Sequence, residues 1–172
     1  MTARHDADSF EPSSPACAMH EADDAYMGYA AKAELLAFLN ATLEAERAGG
    51  RVARRSVRAA DGAMAGLLRT IETDEARWCA MLTHHITALG ATPSLAVCAF
   101  HDEAMAIEDL DARAGLLMRE YGRIVRELNE ILPRVRADRL HAGLREMRAA
   151  HGAIVARAGE VLGRSAARAD QG

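Results

Sequence analysis

Apolar residues recur along most of the chain in alternating steps of three and four. Between Ala33 and Ala60 the stripe reads Leu36, Leu39, Leu43, Glu46, Gly50, Ala53, Val57, a spacing that gathers side chains on one face of a helix. The pattern predicts a first helix over about Ala30–Ala60, closed by Asp61-Gly62. A second follows over about Ala63–Leu89 with the stripe Leu68, Ile71, Glu75, Trp78, Leu82, His85, Leu89, and Gly90 as its stop. A third covers about Asp102–Leu132, ended by Pro133. A fourth covers about Asp138–Leu162, ended by Gly163, with the stripe Leu140, Leu144, Met147, His151, Ile154, Ala158, Val161.

Joints inside the two hairpins are short. The connection from Gly90 to His101 is not: Ala91-Thr-Pro-Ser-Leu-Ala-Val-Cys-Ala-Phe is longer than the 2–8 residues usual between neighbouring helices. Such a segment can run the length of a helical hairpin, so the second and third helices are expected to be parallel. The domain reading is a polar arm over 1–28, a helical bundle over 29–163 and a frayed tail over 164–172.

The polar positions inside the apolar stripes carry the functional question. Burying an unpaired charge costs several kcal/mol, so Glu46 and Glu75 each require a cation, a proton or a metal. Glu46 stands about 15 residues before the first turn and Glu75 about 14 after it, which puts both about 20–22 Å from that end. In the second hairpin Glu120 and Tyr121 precede the turn by about 15 residues and His151 follows it by about as many. Four helices thus contribute Glu46, Glu75, Glu120 or Tyr121, and His151 to one central layer. Glu120 and Tyr121 compete for the inward direction. Glu72, one turn before Glu75, is a weaker candidate, and Glu44, Asp74, Glu127 and Glu130 fall on outward faces.

This layout resembles the ferritin-like superfamily, and Glu44-Ala-Glu46-Arg-Ala-Gly with Asp74-Glu75-Ala-Arg-Trp78-Cys resembles an uncharacterised bacterial ferritin-like domain family. The resemblance covers about Ala30–Gly163. It implies an all-α, ferritin-like four-helix bundle with a long crossover, and a metal site at Glu46, Glu75, Glu120 and His151 holding Fe or Mn for oxygen, peroxide or one-electron chemistry. Ferritin-like di-iron proteins place Glu-x-x-His on the second and fourth helices. Here Trp78 stands three residues after Glu75 and Arg148 three before His151. The expected site is therefore reduced: two or three carboxylates and one imidazole around a single ion. The competing reading is a metal-free bundle, serving as a dimerisation or interaction module, whose buried acids are closed by Arg148 or Arg47.

Composition narrows the setting. A formal charge of −4 argues against a general nucleic-acid binder. Cys17, Cys79 and Cys98 form no CxxC pair, which disfavours structural zinc and fits a reducing cytoplasm. No apolar run reaches the ~20 residues of a membrane span, and no export signal opens the chain. A homodimer along an exposed helix face is the expected assembly. His5 and His20 fall in the polar arm, while His84, His85, His101 and His141 lie at other levels or at a helix start.

Overall fold

The computed structural model describes residues 26–169. The N-terminal arm apart from Tyr26–Gly28, with His5, Cys17 and His20, lies outside the described residues, as do 170–172. Among the described residues the chain is all-helical, with no strand: α1 (Lys32–Ser56), α2 (Gly62–Ala88), α3 (Phe100–Ala106), α4 (Leu110–Ile131) and α5 (Asp138–Ala169), with single 3-10 turns at Val57–Ala59 and Leu132–Arg134. No helix among them is long and apolar enough to cross a membrane.

α1 and α2 form one hairpin and α4 and α5 a second; α2 packs on α5 and α1 on α4. The Ala30 amide donates to Arg134 O at 2.8 Å, which sets the start of α1 beside the end of α4. At the other end, Arg113 of α4 donates to the hydroxyl of Ser56, the last residue of α1. α1 and α4 are therefore antiparallel, so α2 and α4 run the same way. The connection between them lies along α1 and is tied there by Ser94. Its amide donates to Asn40 Oδ1 at 2.7 Å, its hydroxyl donates to Glu44, and its carbonyl accepts from Arg47. Glu44, expected on an outward face, is thus a strap for the crossover.

Two boundaries differ from the sequence expectation. The third helix is not continuous from Asp102. It breaks at Ile107–Asp109, where the Asp109 carboxylate accepts from the Ala112 amide at 2.7 Å and caps α4. Arg113 Nε donates to Ile107 O at 3.0 Å and holds the break. The last helix does not stop at Gly163 but continues to Ala169, so 164–169 are helical rather than frayed. Gly163 has no left-handed backbone angle, and a helical glycine costs only about 1 kcal/mol against alanine. Gly90, by contrast, adopts φ +77° where α2 ends.

The buried apolar residues form two clusters. One holds Leu39, Leu43, Trp78, Leu82, Ile124, Leu128, Leu144 and Met147; the other holds Ala48, Val52, Leu68, Ile71, Leu117, Tyr121, Ile154 and Ala158. On α1, α2 and α5, residues 46, 75 and 151 fall in the gap between the clusters. A polar layer divides the core at mid-height.

Candidate functional site: a buried acid–imidazole layer

Glu46 (α1), Glu75 (α2), Tyr121 (α4) and His151 (α5) are buried, none more than 2% exposed. His151 Nε2 and Glu46 Oε1 are 3.0 Å apart. The other ring nitrogen, Nδ1, lies 3.1 Å from Met147 O; a carbonyl only accepts, so Nδ1 carries a proton and donates it. Nε2 is the end turned toward the acids. The Tyr121 hydroxyl donates to Glu75 Oε1. The Tyr121 and His151 rings lie 4.4 Å apart between centroids, and Trp78 closes the His151 side at 6.5 Å.

Glu75 reaches this layer because α1 carries no side chain at Gly49. A methyl group there would stand 2.4 Å from Glu75 Oε1, and one at Gly50 would stand 3.3 Å from Glu75 Cβ. The glycine pair, costly in the middle of a helix, is the sequence signal for this approach.

Electrostatics follow from burial. Desolvation holds the Glu75 carboxyl well above its ordinary range, and the Glu46 charge pushes it the same way. Burial, then Glu75 and Glu46, push the Tyr121 phenol up as well. Neighbouring Cys79 is pushed up to about 11, chiefly by burial. It is no activated thiol.

No arginine closes the layer. Arg148 donates outward to Asn129 Oδ1 at 3.0 Å, and Arg47 is held by Ser94 O. Among the described residues the only basic side chain in contact with Glu46 or Glu75 is His151. One oxygen of each acid, Glu46 Oε2 and Glu75 Oε2, has no hydrogen-bond partner.

Glu120, expected as a fourth metal ligand, does not join. Its oxygens accept from Arg123 at 2.5 and 3.0 Å on the outer side of α4. Tyr121 takes the inward direction, because only one of two consecutive helical residues can face the seam. Glu72 is also outside, paired with Arg54 at 2.9 Å. His85, placed on the core stripe by its spacing, is only partly covered; Ile86 fills the core position instead.

Among the described residues, no three His, Cys, Asp or Glu side chains are drawn together as a ready metal cage. The donors do not fit a ferritin-type metal pair: Trp78, Arg148 and the Arg123-bound Glu120 leave too few ligands. What the layer does bring together is two carboxylates and one imidazole, all buried. Glu46 Oε2 and Glu75 Oε2 meet no donor from outside the acid pair, and an Nδ1–H held by a backbone carbonyl is the usual support of a ligating imidazole.

A family model, Domain of unknown function (DUF6306), matches residues 33–160. The chain belongs to that family. The match takes in all four residues of the buried layer. No curated protein and no solved structure matched the chain.

Proposed function

We propose that the chain is a ferritin-like four-helix bundle that holds a single Fe or Mn ion between Glu46, Glu75 and His151. The observation that supports this reading is the pair of buried carboxylates, Glu46 and Glu75, whose second oxygens, Oε2 of each, meet no arginine and no donor from outside the acid pair. Two acids and one imidazole, hard oxygens with a borderline nitrogen, suit Fe(II) or Mn(II). The ion would supply one-electron, oxygen or peroxide chemistry. The chain's own residues hold and orient it: Met147 O fixes the His151 tautomer, Tyr121 positions Glu75 and donates a proton at its hydroxyl, and Trp78 helps exclude water. The homodimeric, cytoplasmic setting expected from the sequence belongs to the same proposal.

The test is elemental analysis of protein made in iron- and manganese-replete cells, with Glu75→Ala and His151→Ala alongside. About one equivalent, lost in both variants, supports the site; under about a tenth of an equivalent of either metal refutes it. A readout independent of turnover is the melting temperature, because an ion at 100 times its Kd adds about 2.7 kcal/mol.

A second reading rests on the partners the acids already have, His151 for Glu46 and Tyr121 for Glu75. In it the layer is metal-free, Glu75 keeps a proton shared toward Glu46, and the bundle acts as a dimerisation or interaction module. The arginines first expected to close it are engaged elsewhere, Arg148 by Asn129 and Arg47 by Ser94, so in this reading the acids rely on His151 and Tyr121. Unchanged melting after chelation, with a concentration-dependent dimer in light scattering, would favour it.

A further inference from the structure

Acidic and basic residues are unevenly shared along the chain. Residues 1–25, outside the described residues, carry Asp6, Asp8, Glu11, Glu21, Asp23 and Asp24 against Arg4 alone, while from 26 to 169 there are 20 basic residues and 18 acidic ones. On the folded part the second half of α1 concentrates the positive charge. Arg51, Arg54 and Arg55 are exposed, and exposed Arg58 continues them into the 3-10 turn that follows. Steps of three and four put all four on one stripe. No acid stands between Glu46 and Asp61 in the sequence. Across the helix pair Glu72 meets Arg54 at 2.9 Å, whereas Arg51, Arg55 and Arg58 make no ion pair among the described residues. Arginines of the other helices are held differently: Arg123 by Glu120 and Glu127, Arg77 by Glu146.

Chain length decides which acids can reach that stripe. The arm joins the bundle at Tyr26, just before α1 begins at Lys32. From Lys32, Arg51 lies about 28 Å and Arg58 about 39 Å along the helix axis. An extended chain gains about 3.3 Å per residue, so Glu11 reaches about 50 Å from Tyr26, and Asp6 and Asp8 reach further. Glu21, Asp23 and Asp24 reach no more than about 17 Å and stop short. We propose that the arginine face of α1 is a docking surface for an acidic, extended segment, and that its occupant is the chain's own arm, through Asp6, Asp8 and Glu11. One exposed ion pair contributes little. Three acids meet three arginines that lack ion pairs, and the tether holds them together at an effective concentration of the order of millimolar. Docked there, the arm competes with any other acidic segment for the same face. The proposal rests on surface charge and chain length, so the presence or absence of a metal in the buried layer does not bear on it.

Amide resonance spectra of the isotope-labelled full chain test this. Wild type is first compared with Asp6→Asn/Asp8→Asn/Glu11→Gln; outside the arm, the shift changes are expected to gather between Arg51 and Arg58. A nitroxide on Ser9→Cys, in the Cys17→Ser/Cys79→Ala/Cys98→Ala background, should broaden the same amides. It should leave the outer face of α5 around exposed Gly152 sharp. Both effects should vanish in about 1 M salt, where the screening length is about 3 Å, and in Arg51→Ala/Arg55→Ala/Arg58→Ala. Shift changes spread evenly over the exposed helices, effects confined to residues beside Tyr26, or broadening that survives the salt or the three alanines would overturn the proposal. Broadening that persists undiminished between molecules, when isotope-labelled chain is mixed with unlabelled nitroxide chain, would overturn it too, since the occupant would then be a second copy. The first comparison keeps all three cysteines, so it decides the question even if the substituted background does not fold.

Discussion

Gly49→Ala isolates the contact on which the buried layer depends. In an ordinary helix interior this change stabilises by about 1 kcal/mol. At Gly49 the new methyl would stand 2.4 Å from Glu75 Oε1 and 3.1 Å from Cδ, so the carboxyl must withdraw. Withdrawal breaks the bond from Tyr121 and strands a buried phenol and a buried carboxyl, each costing about 1–3 kcal/mol. Set against the helix gain, the net expectation is a loss of about 1–5 kcal/mol, a fall in Tm of about 2–20 °C for a domain of this size. The assay is urea and thermal unfolding of four proteins: wild type, Gly49→Ala, Glu75→Ala and the double variant. Once Glu75 is truncated the methyl has room, and Gly49→Ala should become neutral or stabilising, a coupling of at least about 1 kcal/mol. Gly152→Ala, at an α5 position with nothing within 4 Å, supplies the uncoupled control. If Gly49→Ala stabilises equally in both backgrounds, Glu75 does not lie against α1 and the proposed layer is wrong.

Other outcomes follow from the same geometry. In chelator-treated protein the folded state keeps the Glu75 proton above the ordinary value of 4.5, where the unfolded chain has released it. Stability therefore falls as pH rises past that value, by up to about 1.4 kcal/mol per pH unit for one proton, until Glu75 ionises. Glu75→Gln should flatten that slope in urea titrations between about pH 5 and about pH 8, and parallel slopes for the two proteins would contradict it. Metal affinity should move oppositely, tightening as pH rises, because the ion displaces that proton; isothermal titration at two pH values checks the sign. Tyr121→Phe keeps the ring against His151 but removes the donor to Glu75, and should cost about 1–2 kcal/mol in chemical unfolding. Asp109→Ala removes the cap of α4 and should cost about 1 kcal/mol, with faster amide exchange confined to the start of that helix; exchange spreading through α5 would refute so local a role.

The stripes of Leu39, Leu43, Leu68, Leu82, Leu144 and Ile154 announced the helices, because a side chain's face on a helix depends only on its number. The same arithmetic placed Glu46, Glu75 and His151 at one height, since rise per residue is constant and the hairpin turns are short. Direction was another matter. Glu120 and Tyr121 are neighbours on one helix, and packing against His151 turned the tyrosine inward while Arg123 drew the glutamate out. Arg148 sits one turn from His151, yet only the position of Asn129 on the facing helix decided that it points away. The break at Ile107–Asp109 depended on Arg113 reaching back to a carbonyl, and the seat of Glu75 on two helices approaching where Gly49 and Gly50 leave room. Periodicity is a property of one segment and can be read from that segment alone. Partners, gaps and the charge that fills them belong to pairs of segments, and they exist only once the chain has brought those segments together.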